Sequence, residues 1–352
     1  MSEVEKIRVG ISCGDLNGIG MEVILKTFAD SAMMDLCTPV LFSSSKAVSY
    51  HRKAINEHDF KFVSVKAAVE ARDGKFNVVE SWKDMVNLEL GKEDPVVGDY
   101  AYLSLEKASE ALQKGHVDVL VTAPVNKNNI DKEGRTFTGH TGFLGDFFKG
   151  DPLMILCGDK MKVGLVTGHI PLEEVAGTLT KEMIVAKVQQ LSKALTSNFA
   201  IRKPKIAVLG LNPHAGDGGL LGKQEEEIIA PAVKEAFESG VVAMGPYSSD
   251  GFFGSGAYEK FDAILAMYHD QGLIPFKAMH FGNGVNFTAN LSIVRTSPDH
   301  GTAYDKAGKG EADENSFRQA VYMAIDAFRN RGQHEEISSN PLAFGKSSRD
   351  SR

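Results

Sequence analysis

An α/β protein of two domains around a cleft is what this sequence predicts, and three observations carry the expectation. The chain has 352 residues, more than one hydrophobic core usually organises, so two domains are the natural division. Apolar runs of strand length alternate with stretches of helical periodicity. Three of those runs deliver a histidine just past their carboxyl end: Lys162 to His169 (KVGLVTGH), Lys205 to His214 (KIAVLGLNPH) and Ala263 to Lys277 (AILAMYHDQGLIPFK), which contains His269. In open α/β sheets the ligand crevice lies outside those ends. His169, His214 and His269 converging there would bind a divalent metal with a position left open, the pattern of a catalytic site.

In chain order, Ile7 to Ser12 reads as a buried strand entering CGDLNGIGMEVILKTFAD, a Gly-rich turn and a helical pattern. Gly14, Gly18 and Gly20 are spaced G-x-x-x-G-x-G, which is not the G-x-G-x-x-G dinucleotide cradle, so a tight strand-to-helix turn is the simpler reading. Thr38 to Phe42 and Phe76 to Val79 look like further strands. Ala101, Leu105, Ala108 and Leu112 share one helical face that Gly115 ends, and VDVLVTAPVNK then brings Thr122, Asn126 and Lys127 to the crevice. The turn RTFTGHTG offers backbone N–H groups, a hydroxyl and the imidazole of His140 to an oxyanion. Ile184, Val188, Leu191 and Leu195 form the core stripe of another helix.

The Gly-rich loop after Leu211 opens into an acidic helix start, where Glu225 to Glu227 read as a solvated first turn complementing the helix dipole. Gly222-Lys223 is followed by Gln224, which excludes a nucleotide P-loop. Val241 to Phe253 reads as a loop whose Asp250 faces the cleft or forms a turn. Lys277, Asn286 and Arg295 follow His269 through a segment that returns as a strand, NFTANLSIVRTS, and Lys and Arg there suit a phosphate. After SPDHGTAYDKAGKG, Phe317, Val321, Ala324 and Phe328 mark a closing helix.

A hydrophobic share of 43%, a charged share of 24% and a net charge of -7 argue against nucleic acid or an anionic membrane as partner. With no signal-peptide pattern and no apolar run of spanning length, a cytoplasmic address is expected. Cys13, Cys37 and Cys157 are odd in number and far apart, so buried thiols are expected rather than disulfides or a thiolate metal site.

Taken together, GDLNGIGMEV, TAPVNK, GHTGFL, GHIPL, LNPHAGDGG, GPYSSDGFF, MYHDQG, FKAMHFGNGVNFT and RTSPDHGTAYDKAG resemble the 4-hydroxythreonine-4-phosphate dehydrogenase family of pyridoxine 5'-phosphate (vitamin B6) biosynthesis, from about Ile7 to Phe328. The first and last segments are also similar to those of isocitrate and isopropylmalate dehydrogenases. The resemblance implies that fold, two α/β/α domains around a cleft. Residues 1–135 with 265–332 are expected as the cofactor-side domain, 136–264 as a second domain holding dimer contacts and part of the metal site, and 333–352 as a disordered tail. It implies metal ligation by His169, His214 and His269, with zinc favoured over magnesium or cobalt, and substrate contacts from His140, Thr141, Lys277, Asn286 and Arg295. His300, Gly301, Thr302 and Asp305 are implied at an NAD or NADP site, and a homodimer shares its active sites. Asp250 and Asp270 are the candidates for orienting substrate or accepting a proton.

The implied reaction is NAD(P)-dependent oxidation of 4-phosphohydroxy-L-threonine at C3 followed by decarboxylation. Gly142 stands where the family has an acid in GHTE, Leu16 and Met21 replace prolines, and Asn290-Leu291-Ser292 replaces GLP. A sister group acting on 4-phospho-D-threonate or D-erythronate is the alternative. A zinc-dependent phosphometabolite hydrolase and a non-catalytic phosphometabolite-binding protein are the rivals from other classes.

Overall fold

In the computed structural model, which describes residues 6–340, one twelve-stranded sheet runs through the molecule. Its strands are β1 (Arg8–Ser12), β2 (Thr38–Ser43), β3 (Val63–Val65), β4 (Asn77–Glu80), β5 (Val119–Thr122), β6 (Leu153–Cys157), β7 (Lys162–Leu165), β8 (Lys205–Leu209), β9 (Val242–Tyr247), β10 (Ala263–Ala266), β11 (Val285–Ala289) and β12 (Arg295–Pro298). The order is β3-β4-β2-β1-β5-β12-β11-β6-β7-β10-β8-β9. Strands β3 to β12 of that order form one parallel block, and β7-β10-β8-β9 form another. Antiparallel pairings of β11 with β12 and β6, and of β6 with β7, join the two blocks. Buried runs such as Val119 to Thr122 and Ala263 to Ala266 are apolar on both faces, as strands covered by helices on either side require.

Helix ends follow their sequence signals. Asp94 accepts from Val96 N at 2.8 Å to open the helix Pro95–Gln113, and Thr180 accepts from Met183 N at 3.1 Å to open Lys181–Asn198. The Gly-rich turn after β1 is a packing device: a Cβ on Gly18 would sit 2.7 Å from Thr302 O, and Ile19 N donates to that oxygen at 2.9 Å. No helix among the described residues is long and apolar enough to cross a membrane.

Three local expectations are corrected. NFTANLSIVRTS is two antiparallel strands, β11 and β12, because Asn290 turns the chain at φ 62° and donates to Asp151 O at 2.6 Å. Val241 to Phe253 is an edge strand, β9, and a short helix, Ser249–Gly254; Pro246 is tolerated because an edge strand has one unpaired side. Gln333 to Ser339, expected within a disordered tail, instead continue the helix Asn315–Ser339, anchored upstream where Asn330 donates to Asn198 O at 2.8 Å and Arg331 to the Asn198 side chain. The rest of the expected tail, 341–352, lies outside the described residues.

Candidate active site

The antiparallel centre of the sheet is the floor of a pocket of about 570 Å³. Side chains alternate along a strand, so register selects which of them face it. Asn286 pairs with Leu156 on one side and Ser297 on the other, and Thr288 with Met154 and Arg295, which sets these residues in two rows on one face. Met154, Leu156, Asn286, Arg295 and Ser297 all line the pocket. The end of β5 supplies Thr122 and Lys127 to one wall, the turn Thr138 to Thr141 another, and the loops after β7 and β10 bring His169 and His269.

Arg295 is the group on which this floor is built. It is 2% exposed. Its Nε and Nη2 donate to Thr122 Oγ1 at 3.1 and 2.6 Å, and its Nη1 to Thr288 Oγ1 at 2.9 Å. Among the described residues no carboxylate pairs with it, and burial pulls its pKa down to about 9. A buried cation satisfied only by hydroxyls carries an uncompensated desolvation cost of several kcal/mol. In the same pocket, His140 Nε2, Asn286 Oδ1 and His300 Nε2 are sealed from solvent with no hydrogen-bond partner among the described residues. Burial first, then the charges of Arg295 and Lys127, hold the His140 imidazole well below its usual pKa. Buried polar atoms without partners are costly in a folded protein, and such a cluster in one pocket fits an oxyanion that would satisfy them together.

At the other end two of the three expected histidines meet. Strands β7 and β10 are neighbours in register, and the ladder runs past them, with Val166 N bonded to Ala266 O at 2.9 Å and Thr167 N to Met267 O at 3.1 Å. The His169 and His269 rings therefore come within 5.2 Å, centroid to centroid. Burial first, then Lys127 and His269, lowers the His169 pKa, which favours the neutral ligating form. His269 Nδ1 bonds Asp270 Oδ1 at 2.7 Å, a contact that fixes the ring and leaves Nε2 for another partner.

His214 stands apart, although β8 also flanks β10. Its loop turns away through His214, Ala215 and Asp217, all at positive φ, and His214 is exposed and does not line the pocket. Among the described residues of the single chain, no three His, Cys, Asp or Glu side chains form a group that could hold a metal. The imidazole pair fits two positions of a divalent shell, and a closed shell needs more donors.

The remaining expected residues divide. Thr141, Lys277, His300 and Gly301 line the pocket; Thr302 and Asp305 do not. Asp250 and Asp270 do not line it either: Asp250 takes a hydrogen bond from Ser248 in the first turn of Ser249–Gly254, and that bond lowers its pKa. The three cysteines are free and buried, and burial raises Cys13 to about 11 and Cys37 and Cys157 to about 12, far from a nucleophile's range.

Four groups escaped sequence reasoning. Glu225 is buried, and accepts from Leu211 N and Asn212 N at 2.7 Å, so it braces the His214 loop where a solvated first turn was expected. Gln271 donates to Gly210 O at 2.5 Å and to Ser249 Oγ at 2.8 Å, tying the three loops at this end together. Asp15 accepts from Tyr304 Oη at 2.8 Å and Asn129 Nδ2 at 3.0 Å, pinning the Gly-rich turn to the segments after β5 and β12. Asp299 lines the pocket beside Lys277, 3.5 Å away. The Asp299 signal was present, since it lies between Arg295 and His300 in a segment already singled out.

Residues 35–324 match the family model described as pyridoxal phosphate biosynthetic protein PdxA. The chain belongs to the PdxA family. It is 53% identical over 344 residues to a 4-hydroxythreonine-4-phosphate dehydrogenase of Bacteroides thetaiotaomicron, covering 97% of this chain and 94% of that one. The solved structure of 4-hydroxythreonine-4-phosphate dehydrogenase from Klebsiella pneumoniae superposes with a TM-score of 0.78 at 32% identity, covering 93% of this chain and 99% of that one. A relative from Oceanobacillus iheyensis, 36% identical over 323 residues with 90% and 97% coverage, carries a provisional D-threonate 4-phosphate dehydrogenase name. The PdxA fold is thus the α/β architecture described above, and PdxA relatives are named as dehydrogenases.

Proposed function

We propose that this protein oxidises the C3 hydroxyl of 4-phosphohydroxy-L-threonine with NAD or NADP, giving 2-amino-3-oxo-4-(phosphooxy)butanoate, which decarboxylates to 3-amino-2-oxopropyl phosphate. The observation that carries this reading is Arg295, a buried guanidinium with hydroxyl partners only, surrounded by the unpartnered polar atoms of His140 and Asn286. A phosphate monoester brings the charge and the acceptor oxygens that such a site lacks. Thr141 and Lys277 complete the grip, and binding energy spent on the phosphate holds C3 in register at the histidine end.

His169 and His269 are the protein's ligands for a divalent metal, zinc by the imidazole donor set, with His214 supplied across a homodimer interface. When bound, the metal acts as a Lewis acid on the substrate oxygen. His300 and Gly301 border the pocket where the nicotinamide cofactor, the hydride acceptor, would enter, with Thr302 and Asp305 further along the same loop. Asp270 orients His269 through its Nδ1, a supporting task and not a proton transfer. The domains expected on either side of the pocket, 1–135 with 265–332 and 136–264, draw support from strand order, since β1 to β5, β12 and β11 lie together and β6 to β9 lie together around β10, although Ala263–Ala266 of β10 straddle the expected boundary.

The test is a side-by-side assay of 4-phosphohydroxy-L-threonine and 4-phospho-D-threonate with NAD and with NADP. Preferential nicotinamide reduction with the first substrate is the expected result. Preference for the threonate moves the enzyme to the sister activity, and phosphate release without nicotinamide reduction makes it a hydrolase.

A further inference from the structure

The reaction releases a proton as well as a hydride, and neither Asp250 nor Asp270 lines the pocket to receive it. Asp299 does, and it is the only carboxylate among the lining residues described. It follows β12 by one residue, on the strand that carries Arg295, so one element sets its distance from the phosphate end.

The side chain is held from several directions. Asp299 N donates to Ser316 Oγ at 3.0 Å, and Ser316 Oγ donates in turn to Gly284 O at 2.6 Å. A Cβ on Gly284 would lie 3.1 Å from Asp299 Oδ2, so the absence of a side chain there lets the carboxylate sit close against the backbone. Lys277 Nζ approaches Oδ1 at 3.5 Å from the helix His269–His280. His300 and His269 are the other charged or titratable groups that face it. A general base needs this combination: reach into the pocket, a fixed orientation, and a partner that keeps the ionised form available.

We infer that Asp299 is the catalytic base of the oxidation and the acid of the step that follows, with Lys277 as its charge partner. This rests on the dehydrogenase reading above. The C3–H bond breaks with its electron pair passing to the nicotinamide, the O–H bond breaks with its proton passing to Asp299, and the C3 carbonyl forms. The bond from C2 to the carboxylate then breaks, carbon dioxide leaves, and the electron pair is held as an enolate. C2 takes the proton back from Asp299, which returns to its ionised form.

Burial raises the Asp299 pKa above the usual carboxylate range, and Lys277 partly offsets that. A base must be ionised to act, so kcat/KM falls as pH drops through this raised value. Asp299→Ala should lower kcat by about 10² to 10⁴-fold, abolish that acid limb and leave KM for the phosphorylated substrate within about threefold. Added formate, filling the vacated space, should restore part of the rate. A kcat within about threefold of wild type, an unmoved acid limb or a formate-insensitive loss would each overturn the assignment. If the variant does not fold, infrared difference spectra of the wild type during turnover decide: a protonated-carboxyl stretch that rises and decays supports it, and its absence overturns it. Wild type that reduces no nicotinamide sinks the reaction reading and this inference together, whereas normal wild type with an unaffected variant sinks the inference alone.

Discussion

The two ends of the pocket are built differently. Arg295 and Asn286 stand on strands whose ladder fixes them in register, and Arg295 is held by Thr122 and Thr288 from the strands on either side. His169, His214 and His269 stand on connections just past strand ends, where only His169 and His269 meet, and those because β7 and β10 continue pairing beyond their formal limits. The Arg295 end is built within one chain and holds a buried charge that a bound anion would relieve. The histidine end is open and exposed, and needs further donors to close. The pocket floor is thus preorganised on the sheet, while the proposed metal ligands are left to loops.

The largest effect should come from the open end. Removing the metal by chelation, or making His169→Ala or His269→Ala, should cut kcat on the order of a thousandfold, the several kcal/mol of Lewis-acid stabilisation. Calorimetry should still detect binding of the phosphorylated substrate, and loss of binding together with turnover would break the division between the ends. Next comes Arg295→Met. Replacing a buried charge by an apolar side chain should leave the free protein as stable or more stable by ~1–4 kcal/mol, raising its Tm. The same change should weaken phosphorylated-substrate binding by ~2–5 kcal/mol. A lowered Tm with unchanged binding would mean that Arg295 is structural.

Asp270→Asn should reduce metal affinity by about 10 to 100-fold, read by titration with a chromophoric chelator, because His269 loses its orienting carboxylate. Smallest is a pH effect at the anion end. His140 stays neutral in the fold, so as pH falls past the ordinary histidine value the unfolded chain takes up a proton that the native one refuses. Its contribution is full above that value and is lost as pH falls below it. His140→Gln should flatten the acid side of Tm against pH, and parallel curves would contradict the burial assigned to it.

Much of this was legible in the sequence. Strand runs ending in histidine marked β7, β8 and β10, and the polar break after β5 and the Arg295 segment marked the anion end, because apolar period and charge in a turn are local properties. What stayed hidden depended on tertiary partners. Glu225 resembles a solvated helix start until the backbone amides of Leu211 and Asn212 fold onto it. The reversal at Asn290 is one residue's φ, invisible within an apolar run. His214 shares its sequence pattern with the other two histidines, but a left-handed turn sends its loop elsewhere. Asp250 and Asp270 stand out by their neighbours in the chain, whereas Asp299 is set by its neighbours in space.

The measurement closest to the central claim compares nicotinamide reduction with 4-phosphohydroxy-L-threonine and with 4-hydroxy-L-threonine, metal supplied, in wild type and Arg295→Met. Wild type should favour the phosphorylated substrate by about a hundredfold or more in kcat/KM, and the variant should lose most of that preference by losing the phosphorylated substrate's advantage. Equal rates with both substrates in wild type, or a preference untouched in Arg295→Met, would contradict a phosphate held at the buried guanidinium.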